Sequence, residues 1–153
     1  MALHMREQAL SAFLTRVTSL STTGANVVRG RVYNIAEADL PHLSVFQGDE
    51  EPVIADNEDE SVLIRAYYDV EILVQISVNA VSGVLETTMN LICKEISNAI
   101  NADSTLGVTG VIDCFEVGTS QPELTGEKEK RTGQMGMVWK ARYRRTRAAA
   151  DVA

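Results

Sequence analysis

The residues that most often do chemistry in proteins are few in this chain and lie far apart. His4 and His42 have no second histidine or cysteine at the spacing that a metal site needs. Cys93 and Cys114 also match no metal-binding spacing and fall in different predicted elements, so we interpret them as reduced thiols in the core. The sequence therefore predicts no metal and no cofactor.

Two carboxylates offer the next candidate for chemistry. Asp69 and Glu71 stand two residues apart on the polar face of a predicted strand, where paired acids can form an acid–base site. Solvated residues of a strand ladder are the simpler interpretation. The chain contains no nucleophile elbow, P-loop or dinucleotide-binding motif, and the glycines of RTGQMGM precede a predicted strand, so no helix N-terminus there awaits a phosphate. We expect no enzyme; a small-molecule enzyme with a pocket between subunits stays as an alternative.

Basic residues gather near the C-terminus. Eight bases and a single acid lie between Lys128 and Arg147. Lys140, Arg142 and Arg144 project from one face of a predicted strand, a pattern suited to phosphate contacts. The formal net charge of −7 and the pI of about 4.8 argue against nucleic-acid binding as the main role. Trp139 and Tyr143 also fall on the predicted core face, away from any base that would stack. A nucleic-acid-binding module that uses this strand is the alternative function.

Acidic residues gather in a different region. Nine acids and no lysine or arginine lie between Ile35 and Glu60. This asymmetry fits either a solvated loop and a basic edge, or complementary surfaces that meet between copies of the protein or on another partner. On the second interpretation the candidate interface residues are Asp49, Glu50, Glu51, Glu58, Asp59, Glu60, Lys140, Arg142, Arg144 and Arg145.

Length and composition limit the class of protein. With 153 residues, 45% of them hydrophobic and 23% charged, the chain fits one globular domain over residues 1–153. We expect an ordered core over about 5–146, an acidic loop over 48–60 and a flexible tail over 147–153. No apolar run is long enough to span a membrane, and the first residues have no signal-peptide core, so we expect a cytosol-like compartment and no membrane partner.

One stretch organises the predicted fold. From Val62 to Val78 apolar and polar residues alternate, as a half-buried strand requires. Around it we predict helices over Met5–Leu20 and Val84–Ala102, and strands over Ala25–Tyr33, Leu40–Gln47, Val111–Gly118 and Gln134–Thr146, with polar loops over 48–60 and 120–133. This order predicts an α+β fold of two layers, a mixed and mostly antiparallel sheet of about four to five strands with both helices on one face.

The order of these elements resembles that of the phage tail-terminator proteins, the minor tail protein U family of long-tailed phages. The likeness is strongest over Gly30–Glu51, which carries in order Gly30-Arg31, Glu37-Ala38-Asp39 and Leu40-Pro41-His42-Leu43-Ser44-Val45-Phe46. The acidic loop, the long strand, a helix and a final strand with Trp139 and Tyr143 continue it to about Thr146. The basic end, Arg142–Arg147, departs from the family pattern.

The resemblance implies a structural virion protein without enzymatic activity. Subunits of this family form a ring, expected here to be a hexamer, at the head-proximal end of the tail tube after assembly in the host cytoplasm. The ring ends polymerisation of the tube protein and provides the surface that joins the tail to the head-completion or connector protein. DNA passes through its lumen.

Overall fold

The structure, a computed structural model, describes residues 3–30, 35–53, 67–79, 85–126 and 131–145. In chain order its elements are α1 (Met5–Val17), β1 (Val27–Arg29), a 3₁₀ turn (Glu37–Asp39), β2 (His42–Pro52), β3 (Tyr67–Asn79), α2 (Leu85–Asn101), β4 (Val111–Thr119), β5 (Glu123–Thr125) and β6 (Thr132–Arg144). None of the helices in these ranges is both long and apolar enough to cross a bilayer.

The strands form one mixed sheet in the order β1-β2-β3-β6-β4, and β5 pairs with the start of β6. The β1–β2 pair is parallel and the other pairs are antiparallel. This architecture confirms the predicted α+β class with a mostly antiparallel sheet. It has six strands where we expected four or five.

Alternation along the two central strands builds the core. Val70, Ile72, Val74, Ile76 and Val78 of β3 are at most 1% exposed. Opposite them on β6 lie the buried side chains of Met135, Met137, Trp139, Ala141 and Tyr143. The predicted core faces of both strands are therefore confirmed, while residues 62–66 of the predicted long strand lie outside the described residues.

Both helices cover this same face of the sheet. The apolar stripe of α1 is Met5, Ala9, Leu10, Phe13 and Val17, and that of α2 is Leu85, Met89, Ile92, Ile96 and Ile100. The rings of Phe13 and Trp139 lie 5.9 Å apart between centroids at an angle of 59°, so α1 packs directly on the middle of β6. The opposite face of the sheet carries no helix from the described residues.

The prediction that α1 continues to Leu20 is wrong. The helix ends at Val17, and Thr18 leaves the helical conformation with ψ 138° while its amide still donates to the carbonyl of Leu14. Ser19 and Gly24, with φ of 71° and 55°, then close a tight loop through backbone bonds of 2.8–2.9 Å. The apolar Leu20, which prolonged the helical pattern in the sequence, instead forms an isolated bridge with Gly24.

The predicted acidic loop begins too early. Gly48–Pro52 belongs to β2, which pairs with β3 as far as Pro52 opposite Tyr68. A bulge between Gln47 and Glu50 shifts the register. Because the bulge breaks the alternation of apolar and polar residues, the sequence pattern does not indicate that the strand continues. Residues 54–60 of the predicted loop lie outside the described residues.

Smaller corrections concern two other predicted connections. The stretch Glu37–Asp39, between the first two predicted strands, forms a 3₁₀ turn. Within the predicted loop 120–133, Glu123–Thr125 forms β5 against Thr132–Gln134, because the chain turns back at Gly126 with φ 93°. Strand β1 spans Val27–Arg29 of the predicted Ala25–Tyr33, and residues 31–34 lie outside the described ranges.

The bulge in β2 gives a first test. A Cβ added to Gly48 would lie 2.7 Å from Cβ of Glu71 on β3. Gly48→Ala should therefore lower the free energy of unfolding by about 1–3 kcal/mol, the usual cost of overpacking. Gly118→Ala is the matched control, because a Cβ there meets nothing within 4 Å. Urea unfolding followed by Trp139 fluorescence measures both; equal losses would show that the contact does not matter.

A second test uses the ion pair that joins α1 to β1. Both nitrogens Nη1 and Nη2 of Arg29 donate to the Glu7 carboxylate, the second at 2.7 Å. These bonds hold the pKa of Glu7 below its ordinary value of 4.5. A lowered pKa stabilises the fold above the unfolded-state pKa, and this contribution is lost as pH falls through the folded-state pKa.

The difference in unfolding free energy between the natural chain and Glu7→Gln should therefore be largest near neutral pH. It should shrink as the pH falls through the lowered folded-state pKa of Glu7 and vanish below it, where the carboxyl is protonated in both states. Arg29→Gln removes the other half of the pair and should give the same pH profile. A difference that is constant over the whole pH range would contradict the assignment.

Candidate assembly interface

The centre of the helix-free face is apolar. Phe46, Leu73, Val138 and Gly118 are neighbours across four strands in one row of the sheet. In the next row Gly136 lies beside Gln75, and its missing side chain deepens the surface into an open groove of about 540 Å³. The groove is lined mostly by aliphatic, aromatic and backbone atoms, so it offers contact area and no reactive group.

Towards the other end of the same face the rows become charged. Lys140 is paired in register with Glu71, and Arg142 with Asp69. Arg142 donates to both oxygens of Asp69, at 2.8 and 2.9 Å, and its guanidinium lies 5.8 Å from the centre of the Phe115 ring. The hydrogen bonds to Asp69 raise the pKa of Arg142. Arg142 is thus neutralised inside its own chain by a bidentate pair.

A second charge cluster lies on the helix side of this end, and we call it the Glu50 cluster. Its members are His4, Arg6, Glu50, Tyr68, Tyr143 and Arg145. Glu50 is only 13% exposed, and its carboxylate accepts from Arg6 at 2.9 Å, from Arg145 at 3.3 Å and from the Tyr143 hydroxyl. A single carboxylate therefore joins α1, β2 and the end of β6.

Arg145 is held from two further sides. Its guanidinium carbon lies 3.6 Å from the centre of the Tyr68 ring, and its Nη1 is 3.0 Å from Nε2 of His4. Tyr68 in turn stacks on Tyr143 with 6.3 Å between ring centres. A cation on an aromatic face gains most where water is excluded, so the two tyrosines favour one position for Arg145.

The bulge in β2 explains why Glu50 faces the helices. Val45 points to the core, so regular alternation would place Gln47 and Asp49 on that side. The extra residue at the bulge brings Glu50 opposite the buried Val70 instead, while Glu51 is paired with Asp69 on the helix-free face. The bulge thus places the neighbouring acids Glu50 and Glu51 on opposite faces of the sheet.

The structure places the ten candidate interface residues in different settings. Asp49, Glu51 and Arg144 are exposed, and none of the three makes a side-chain ion pair with another described residue. Glu50 meets Arg145 within the chain, Arg142 meets Asp69, and Lys140 is half-buried beside Glu71. Glu58, Asp59 and Glu60 lie outside the described residues.

The sequence analysis missed Arg6, His4 and Tyr68 as partners of the candidate charges. These residues lie up to 141 positions away from Arg145 along the chain, so no local pattern links them. A weak signal was present in Tyr143. Its predicted place on the core face leaves its hydroxyl in need of a buried acceptor, and Glu50 supplies one.

The geometry gives little support to base stacking by the final strand. Trp139 and Tyr143 are at most 1% exposed. Two of its guanidinium groups, those of Arg142 and Arg145, already bind carboxylates. Stacking platforms and free cations are what a single-stranded nucleic acid would use, so this face is a poor match for one.

Groups suited to metal or thiol chemistry are scarce in the described ranges. No cluster of three or more His, Cys, Asp or Glu residues there could hold a metal ion. Burial, with Asp113 beside it, raises the pKa of the Cys114 thiol to about 12, and burial also raises the pKa of Cys93. Thiolates are the reactive form, so both cysteines fit the interpretation as core thiols.

Comparisons with known proteins leave the family open. No family model matches the chain. No curated protein matches it either. Among solved structures 29 chains match, and one of them belongs to the "Virion of native gene transfer agent (GTA) particle". That chain has 15% sequence identity and a TM-score of 0.49, over 94% of this chain and 96% of its own length. We infer neither fold nor function from a likeness at this level.

The state of the two thiols is open to a direct test. A thiol reagent such as DTNB at pH 8 should leave Cys114 unmodified in the folded protein and should react slowly with the half-buried Cys93. In guanidinium, where the protein is unfolded, both cysteines should react with DTNB at the rate of a free thiol. Mass spectrometry of the labelled peptides identifies the site. Rapid labelling of Cys114 in the native state would contradict its burial.

Proposed function

We propose that this protein is a structural subunit of a phage-like virion that caps the tail tube as a ring of six. The ring ends tube polymerisation and presents the surface that joins the tail to the head-completion protein, at the head-proximal end of the tail. DNA only passes through its lumen. The resemblance of Gly30–Glu51 to the tail-terminator family motivates this proposal. It rests on one structural observation: at one end of the sheet, exposed acids lie on β2 and an exposed base lies on β6.

The acids and the base are separated across the strands of the sheet. Asp49 and Glu51 lie on β2, and Arg144 lies on β6. Strand β3 runs between them, with Tyr67 paired to Arg144 and Asp69 paired to Glu51. Adjacent strands are about 4.8 Å apart, so the backbones that carry these acids and this base are separated by about 10 Å across β3. Within the described residues, no ion pair joins their side chains.

Along these three strands the exposed charge is acidic at β2 and basic at β6, and we call these the acidic and basic sides of the subunit. Copies placed side by side bring Asp49 and Glu51 of one next to Arg144 of its neighbour. The contact joins two different faces, and contacts of that kind build closed rings when the rotation between copies closes. Opposite charges on the rims of such a contact also fix its register and exclude wrong arrangements.

The remaining candidate residues take different parts in this proposal. Arg142, Arg145 and Glu50 are occupied within the chain, so they shape the interface and do not themselves cross it. Lys140 lies between Glu71 and Phe115 in its row and adds a second, half-buried cation to the basic side. Glu58, Asp59 and Glu60 extend the acidic side in sequence and stay candidates.

The deciding experiment is the mass and symmetry of the purified protein. Light scattering and negative-stain imaging over a concentration series should give closed six-fold rings with an open lumen. Raising the ionic strength should weaken the rings, because exposed charges are screened over about 8–10 Å at physiological salt. If the free protein is a monomer throughout, the same measurement is repeated with tail tubes, and failure to cap them would contradict the proposal.

Charge reversal tests the interface itself. Arg144→Glu should abolish ring closure without loss of fold, and so should Asp49→Lys with Glu51→Lys. Combining all three substitutions should restore rings. Lys94→Glu on the exposed side of α2 is the matched control and should leave assembly unchanged. We choose Arg144 over Arg142 because reversing Arg142 would also break its pair with Asp69.

The same variants address the nucleic-acid alternative. Affinity of the isolated protein for DNA that falls with salt and is lost in Arg144→Glu would favour it. We expect no such binding, because the chain is strongly acidic overall.

A further inference from the structure

The Glu50 cluster lies between the residues of the proposed interface. Glu50 is the neighbour in sequence of Asp49 and Glu51, and Arg145 is the neighbour of Arg144. The carboxylate and the guanidinium that bind each other therefore belong to the two segments that carry the exposed acids and the exposed base. The Glu50–Arg145 contact within the chain therefore spans β3, the strand that also separates the exposed acids of β2 from Arg144.

The contacts of the cluster form a closed cycle. Glu50 binds Arg145, Arg145 lies on the ring of Tyr68, Tyr68 stacks on Tyr143, and the hydroxyl of Tyr143 returns to Glu50. Two of these contacts join β2 to the end of β6, and the other two join β3 to the end of β6. The cycle thus holds the three strands together at their end.

The first turn of α1 is attached to the same cycle. Arg6 donates to Oε2 of Glu50, and Nε2 of His4 meets Arg145. Met5, the residue between them in sequence, is 1% exposed and belongs to the hydrophobic core. Two guanidinium groups share one carboxylate, so removing its charge leaves both cations close together and without their common partner.

We propose that Glu50 is a positioning residue, whose charge holds the ends of β2 and β6 and the start of α1 in one arrangement. Through Arg145 it sets the distance between the exposed acids of β2 and Arg144. The first part concerns the isolated chain. The consequence for assembly rests on the proposed function, because it requires those charges to meet a neighbouring copy.

The test compares Glu50→Gln with Asp69→Asn. Both substitutions turn a carboxylate into an amide, and both acids are similarly buried, with side-chain exposures of 13% and 12%. Only Glu50 binds α1. Hydrogen exchange is measured on dilute protein that has not assembled.

In Glu50→Gln, the amides of residues 6–8, of Glu50 and Glu51, and of residues 143–145 should exchange together at least about tenfold faster, as in a cooperative local opening. In Asp69→Asn the start of α1 should exchange at the natural rate. Unchanged exchange at residues 6–8 in Glu50→Gln would mean that packing of Met5 alone holds the helix, and it would overturn the proposal.

If Glu50→Gln fails to fold, two other variants still test the proposal. Tyr143→Phe deletes one donor to Glu50 and keeps the ring in the core. It should accelerate exchange in the same three segments by a smaller factor, and an effect confined to β6 would overturn the cycle. Glu50→Asp keeps the charge and should recover part of the protection, which a role in shape alone does not predict.

Assembly supplies a readout that separates positioning from general stability. If Glu50 acts through the exposed charges, the milder substitution Arg144→Gln should weaken ring closure in the natural chain and add little in Glu50→Gln. The measured quantity is the protein concentration at which rings close. If each substitution raises this concentration by the same factor alone and in combination, the coupling between the two residues is contradicted. Absence of rings both in the free protein and on tail tubes would instead overturn the proposed function, and the exchange measurements on the isolated chain would still decide the role of Glu50.

Discussion

The pairing of β3 with β6 is the contact on which the rest of this structure depends. These strands run antiparallel over thirteen residue pairs, from Tyr67–Arg144 to Asn79–Thr132. Because both alternate in the same register, every second pair is apolar and buried under the helices. A shift of one strand by one residue would turn its core face outwards, so burial fixes the register along the whole length.

That register also determines which charges meet. On the helix-free face it places Asp69 beside Arg142 and Glu71 beside Lys140, so the basic strand faces acids already within the chain. Pairs of opposite charge directly across a sheet stabilise it. Arg142 and Arg145 of the basic end are therefore internal complements of β3 and β2, whereas Arg144 is exposed.

The sequence predicted those parts of the fold that depend on local periodicity. The core faces of β3, β6 and α2 follow from alternation and from three- and four-residue spacing, which need no knowledge of distant residues. The end of β2 did not follow, since a one-residue bulge breaks its alternation and sends Glu50 to the helix side. The partners of Glu50 could not follow either. Arg6 and Arg145 meet it only because α1 and β6 are both packed on the finished sheet.

The candidate interface illustrates the same limit. Charge runs in a sequence identify which residues carry charge, but pairing within the chain decides which of them remain for a neighbour. Here the pairs Glu50–Arg145 and Asp69–Arg142 use two of the four basic candidates and leave Asp49 and Glu51 apart from Arg144. On the proposed function, the charges that stay unpaired within one subunit meet those of a neighbouring copy, and a ring is the arrangement that leaves neither end of a row of copies unpaired.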